Sequence, residues 1–395
     1  MFAARAPEFV LTAVVLTLRP RRASSWDFQR SSNWTSRAWK RQSSNDNRVA
    51  DPPRSTASTR GGLVVRIGVI SLFALVAGAV AWRAQYRIHA GGGDHLLIWR
   101  ATRAVLDGND PYQVRWSSGN WILPPVNLRF FYPLPAIAFG LPFTWLSPSA
   151  AAFWFVISSA TFLGYAITRD GFERVPVLLS VPFLGAVQFS QTSPLIVACA
   201  LVPATAGLAL LKPNIGLALF AWRPSWTAIL VAFVLCLASL ALRPDWPKEW
   251  LALLRDSPAH HAPITVAGGV LVLASLVRWR RPDARLLLAM AVIPHGLYFY
   301  DELPLFLVAR SRRESMVLVV SSWVGLLGWM ATSAGFELRD MASWVVWSLY
   351  VPATAMVLLR ADDSGKQSDV FRRRAATQPA DIHGVARVPT SAEPN

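Results

Sequence analysis

Charge is scarce in this chain. Of its 395 residues, 16% are Asp, Glu, Lys or Arg, against roughly 25% in a soluble globular protein. Cysteine is nearly absent. Cys199 and Cys236 both sit inside apolar runs, which argues against a disulfide framework or a Cys-based metal site and for small side chains buried in helices. Metal signatures are missing too. His260 and His261 are adjacent, so on a helix they point in different directions and match no ligand spacing; neither a metal nor a cofactor is inferred. The run Phe9 to Leu18 is too short to cross a bilayer. It is followed by Arg19-Pro20-Arg21-Arg22 rather than a small-residue cleavage site, so it makes a poor signal peptide. No convincing internal repeat is present.

Apolar sequence dominates what is there. Hydrophobic residues make up 53% of the chain, and the charges fall in short clusters between apolar runs of about 17 to 20 residues, the length that crosses a bilayer. This segregation predicts an all-α, polytopic transmembrane helix bundle of about ten to twelve spans, several of them interrupted by Pro and Gly. Three regions follow: a polar, basic tail over 1–60, a transmembrane domain over 63–359, and a second polar, basic tail over 360–395. Low hydrophobicity and high charge predict disorder in both tails. Within the domain, spans are expected near Leu63–Trp82, Phe131–Leu146, Ser149–Thr168, Val175–Phe189, Pro194–Leu211, Ser225–Leu242, Ile264–Val277, Met316–Ala334 and Trp344–Leu359. Ile215–Trp222 reads as a half-helix, and Leu286–Ala309 as a span or a broken hairpin.

The formal net charge is +16. In a soluble protein that would suggest nucleic acid as a partner. Here the basic residues lie in the tails and at the ends of apolar runs, so no nucleic-acid partner is expected and membrane lipids are. Arg169–Arg174, Arg278–Arg285 and Arg310–Arg313 form short basic loops, the mark of the cytoplasmic side. The longer loops 83–130 and 243–263 then face outward. Lys212-Pro213, after an apolar run, reads as a cytoplasmic topological charge.

The most informative stretch is Gly91-Gly92-Gly93-Asp94-His95-Leu96-Leu97-Ile98-Trp99-Arg100, continuing to Gly108-Asn109-Asp110-Pro111-Tyr112. Asp94 follows a glycine turn and reads as a helix N-cap. Leu97, Ala101, Ala104 and Val105 make an apolar stripe, with Arg100, Arg103 and Asp107 on the opposite face. Gly108 stops the helix and Pro111 prevents its resumption. The result is a short amphipathic helix at the outer membrane surface. His295, Tyr300 and Asp301 interrupt an apolar run, and ionisable residues at membrane depth usually face a cavity. A hairpin turn with Asp301 capping the next helix is the plainer alternative. Trp246 and Trp250 are four apart and suit an interfacial helix face.

These motifs come in an order that resembles glycosyltransferase family 87, a C-type (GT-C) family of polytopic enzymes that use polyprenyl-phosphate sugars. The resemblance rests on the Asp-led loop with Gly-x-Asp-Pro-Tyr, then Phe131-Tyr132-Pro133-Leu134-Pro135, Gln191-Thr192-Ser193, Leu211-Lys212-Pro213 and Pro294-His295 followed by Tyr300-Asp301. It covers about 63–335. It implies a GT-C-like bundle that moves a hexose, most often mannose, from a lipid-linked donor to a lipid or glycan acceptor, with inversion, on the extracytoplasmic face of the plasma (inner) membrane. It also assigns the catalytic base to Asp94, and places the break at His295, Tyr300 and Asp301 in the sugar or acceptor pocket. Family members that act in phosphatidylinositol mannoside synthesis carry histidines near this break, where Tyr300-Asp301 stands here.

The chemistry suits a single carboxylate. The acceptor hydroxyl must lose its proton as it attacks the anomeric carbon, and a general base within reach supplies that step. A leaving lipid phosphate calls for cations near the outer interface. Arg100, Arg103 and Arg129 are the candidates, since a guanidinium fork matches phosphate geometry; snorkelling to lipid headgroups is their bland alternative. Two other classes compete with the enzyme, a lipid or solute transporter and a non-catalytic membrane scaffold.

Overall fold

Runs of apolar sequence without charge can satisfy their backbone only as helices if they enter lipid, and helices are what form. A computed structural model describes residues 57–87, 93–113, 116–118, 126–255, 261–333 and 338–360. The tails expected over 1–60 and 360–395 lie almost wholly outside the described residues. The first helix, α1, runs Ala57–Trp82, so it begins before the expected Leu63. It buries Phe73, Ala77 and Ala81, spaced four apart, and turns Leu63, Val64, Ile67 and Leu75 outward. Apart from Ser71 that outward face is largely apolar, as lipid contact requires and water would penalise. Its partner is α3, Pro148–Ile167. Phe73 of α1 packs onto Gly164 there and edge-on against Phe183, 5.3 Å between ring centroids.

Among the described residues, four helices are long and apolar enough to cross a membrane: Gly61–Tyr86, Pro148–Ile167, Arg312–Thr332 and Asp340–Leu359. Two bent pairs raise the number to six if each counts as one span. Several expected spans are instead shorter. Leu134–Phe143 is one such piece; it lies alongside α2 (Gly93–Leu106), where Thr102 donates to Ile137 O at 3.2 Å and Trp99 to Phe143 O at 3.0 Å. Pro213–Trp222 has 10 residues, as a half-helix should. The segment between α2 and Leu134 also holds an antiparallel ribbon that the all-helical reading omits, pairing Trp116–Ser118 with Val126–Leu128.

The expected span Pro194–Leu211 is not a single crossing. A helix over Ser193–Leu201 stops at Val202, and a tighter 3₁₀ segment over Pro203–Leu211 returns. Pro203 has no amide proton and forces Val202 into an extended conformation. Thr205 satisfies the freed carbonyls of Cys199 and Val202, at 3.2 Å each. Leu286–Ala309 resolves as the broken hairpin. It goes up through Pro282–Val292, breaks at Ile293-Pro294-His295, and descends through Phe299–Leu307. Both ends meet where Arg310 pairs with Asp283 at 3.2 Å.

The basic loops gather at one end. Arg66 donates to Arg169 O, Arg174 to Leu307 O, and Arg285 to Ala221 O. Arg360 joins Asp283 and Glu314 and donates to Val308 O at 2.7 Å. The other end of α1, about 28 Å away at 1.5 Å per residue, carries Gln85 and the polar residues described next.

Candidate functional site

The candidate site is assembled where five breaks in helical structure meet. Gly93 opens α2 with φ +40°, and a Cβ there would lie 1.7 Å from Phe189 O. Only glycine fits on both counts. This approach lets the His95 amide donate to Ser190 O at 3.2 Å, across chain segments, so an N–H that the first helical turn leaves open finds a partner. Ser190 itself is held at φ +48°, a left-handed conformation rare outside glycine and stored where function concentrates. Its hydroxyl accepts from Gln85 at 3.2 Å. The strained bend 189–192 turns Val181–Gln188 into Ser193–Leu201 by 119° and aims Gln191 and Ser193 at the same point.

That point is the carboxylate pair Asp94 and Asp301, Gln191 facing the first and Ser193 the second. The helix begins at Gly93, so Asp94 lies inside the first turn and its carboxylate reaches across the fold. Lys212 Nζ stands 3.0 Å from Asp94 Oδ2 and 2.9 Å from Asp301 Oδ1. The Gln191 amide lies against Asp94. A carboxylate only accepts, so the NH₂ end faces it, donating to Oδ1 at 3.1 Å and also to Oδ2. The Ser193 hydroxyl donates to Asp301 Oδ1 at 3.5 Å. Tyr132 stands beside Asp94, its ring centroid 5.9 Å from Lys212 Nζ. Tyr300 is close to both carboxylates and stacks on Tyr298 at 5.1 Å. The bridge is unevenly covered: the Asp94 side chain is 21% exposed, Asp301 7% and Lys212 6%.

A second buried cluster adjoins Asp301. His295 Nδ1 lies 2.7 Å from Ile293 O, and a carbonyl only accepts, so Nδ1 carries a proton. Nε2 faces Glu302 Oε1 at 2.9 Å, which leaves one proton to be held between them. Tyr350 donates to the other Glu302 oxygen at 2.7 Å. His261 O accepts from the His295 amide at 3.3 Å, tying the second outer loop to this cluster; His260 lies outside the described residues.

The segments around Asp110 and Arg243 are latched to each other. Asp110 accepts from the Tyr112 amide at 2.8 Å, which shapes the Asp-Pro-Tyr turn. Its other oxygen pairs with Arg243, which also grips Glu249 through two bonds of 2.9 Å. The hydrogen bonds it donates to Glu249 hold the Arg243 guanidinium even more firmly charged than usual. Trp250 donates to Phe131 O at 2.9 Å and its ring lies 6.0 Å from that of Trp246. Trp246 is buried in the protein rather than set in a bare interfacial face.

Asp94, Tyr300 and Asp301 are therefore brought together, with His295 beside them. The described contacts do not join the arginines to them. Arg103 reaches Asp107 at 4.0 Å and Thr144 O, nine residues beyond Asp94 on the opposite side of α2. Arg100, half-buried, also lies round the helix from Asp94, and burial pushes its pKa down. Arg129 precedes Phe130 and keeps contacts of its own. Lys212, expected to be a topological charge at the end of an apolar run, is instead buried against Asp94, because the Pro203 hairpin brings the end of that run back to where it began. Glu302 and Gln191 were also missed. Glu302 gave the same signal as Asp301, an acid in an apolar run. Tyr350 gave none. Cys199 and Cys236 are both free. Among the described residues, no group of three or more His, Cys, Asp and Glu could hold a metal ion.

No protein-family model, curated protein or solved structure matches this chain.

Proposed function

We propose that this protein is a membrane glycosyltransferase that moves a hexose, most often mannose, from a polyprenyl-phosphate donor to a lipid or glycan acceptor, with Asp94 as general base. One observation carries the reading. A partly exposed carboxylate at the start of α2 converges with a buried Lys–Asp pair from two other helix breaks. Catalysis of this kind needs a base that a hydroxyl can reach, positioned by the groups around it. The order of motifs that resembles glycosyltransferase family 87 supports the same assignment. In this reading the shorter apolar elements complete a GT-C-like bundle of ten to twelve membrane segments, and the site opens to the extracytoplasmic face of the plasma membrane. Attack on the anomeric carbon opposite the phosphate inverts the sugar. Tyr132, Tyr298 and Tyr300 supply aromatic faces and hydroxyls suited to a sugar ring.

The test is transfer itself. Membranes containing the full-length protein are supplied with radiolabelled polyprenyl-phosphate mannose and compared with membranes lacking it. New labelled glycolipid or glycan is the expected product. If no polyprenyl-phosphate sugar is consumed, the ionisable residues at membrane depth favour a transporter instead.

A further inference from the structure

The chain carries 39 Lys and Arg, yet only four are lysines: Lys40, Lys212, Lys248 and Lys366. One of these four sits at the centre of the site. Lysine differs from arginine in having a compact ammonium on a flexible stem. Lys212 uses it to bridge two carboxylates that belong to different helix breaks, at 3.0 and 2.9 Å. Its backbone, at φ −113° and ψ 86°, lies in neither neighbouring helix. The two partners are not equivalent. Asp301 is enclosed, with Ser193 as a further donor, while Asp94 faces the opening. A ligand entering from the Asp94 side thus meets an ammonium already anchored from behind.

An ammonium bonded to a general base lowers its basicity. The resting bridge therefore opposes the role assigned to Asp94 and must loosen during turnover. The charges show how. In the transfer, the acceptor oxygen bonds to the anomeric carbon and its proton passes to Asp94. The bond from that carbon to the phosphate oxygen breaks, and its electron pair stays on the phosphate. Asp94 goes from −1 to neutral, and the phosphate from a diester at −1 to a monoester at −2, so total charge is conserved. Asp94 loses its pull on the ammonium as the phosphate gains one. A cation that shifts from the first to the second is favoured more in the transition state than in the ground state, which is the condition for catalysis.

We propose that Lys212 is a mobile counter-ion that exchanges Asp94 for the phosphate of the lipid donor, so that donor entry captures the leaving group and frees the base. The inference rests on the lipid-phosphate reading given under Proposed function and names the phosphate ligand within it. Arg100, Arg103 and Arg129 are not required for it.

Binding of undecaprenyl phosphate and of uncharged undecaprenol to the purified full-length protein in nanodiscs tests the exchange. Lys212→Gln is expected to weaken undecaprenyl phosphate by about tenfold or more, the worth of one charged hydrogen bond, and to leave undecaprenol unchanged. Lys212→Arg should keep most of the phosphate affinity. Asp94→Asn should tighten it, because the ammonium no longer has a competing anion. If Lys212→Gln fails to fold, Asp94→Asn still decides, and unchanged phosphate affinity in Asp94→Asn overturns the exchange. Sugar transfer by the wild type together with a Lys212→Gln variant of undiminished phosphate affinity would sink the Lys212 assignment alone. A wild type that binds undecaprenyl phosphate no better than undecaprenol would remove the lipid-phosphate reading and the exchange together.

Discussion

Individual side chains near Asp94 do opposite things with burial. Asp94 keeps an opening, while His95, its neighbour, is fully enclosed. The His95 ring stacks on Phe155 at 4.1 Å and meets Phe143 edge-on at 5.4 Å. Among the described residues neither ring nitrogen has a hydrogen-bond partner. Burial pushes its pKa down to about 3. In the unfolded chain the same group titrates near 6.5. Between those values the unfolded chain holds a proton that the native one lacks, so stability rises with pH across the window and is lost as pH falls through it. His95→Phe keeps the stacking and removes both the titration and the unpaired nitrogens. It should stabilise the folded protein by about 1–3 kcal/mol, with a larger gain at pH 5 than at pH 7.5, read from thermal unfolding in detergent. Equal pH dependence in variant and wild type would contradict this. At this scale the sequence was informative where a polar residue broke an apolar run, as at Asp94, His295 and Asp301. It was silent on Lys212, because a Lys-Pro pair after an apolar run looks the same whether the run has crossed or turned back.

Elements were legible by existence more than by path. The helices at Ala57–Trp82, Pro148–Ile167 and Arg312–Thr332 follow from length and composition. Of the stripe expected on α2, Leu97, Ala101 and Ala104 are buried and Val105 is half-buried, and His95, Ile98 and Thr102 join them in the core. Hydropathy measures how long an apolar run is, not whether Pro203 folds it in two. The amphipathic helix Trp246–Arg255 shows a further limit. Its tryptophans suggested an interfacial anchor, yet Arg243 just before it binds Asp110 and Glu249 together. Arg243→Met should release the two outer elements and leave two carboxylates facing each other. We expect faster limited proteolysis near Asp110 and a stability loss of about 1–2 kcal/mol, moderated because the triad is partly exposed. An unchanged cleavage pattern would show that the outer loops are held by Trp250 and its bond to Phe131 alone.

Among the described residues, charge sorts to the two ends of the bundle. Arg174, Arg223, Arg285, Arg310 and Arg360 lie at one end, and the Asp94 and Arg243 clusters at the other. The positive-inside rule predicts that the basic end faces the cytoplasm. A chain free of its native cysteines, carrying Asn109→Cys or Arg280→Cys, is expected to react with a membrane-impermeant thiol reagent from outside only at position 109. Reaction only at position 280 would invert the orientation and move the site to the cytoplasmic face.

The claim that Asp94 is the base separates cleanly from the claim that it is structural. Asn is nearly the same size, and its amide oxygen can still accept from Lys212, but it accepts no proton. Sugar transfer from polyprenyl-phosphate mannose is measured in membranes holding equal amounts of wild type and Asp94→Asn. General-base catalysis predicts a fall of roughly 10² to 10⁴-fold in the variant, with folding and expression near wild type. Turnover close to wild type in Asp94→Asn would contradict it.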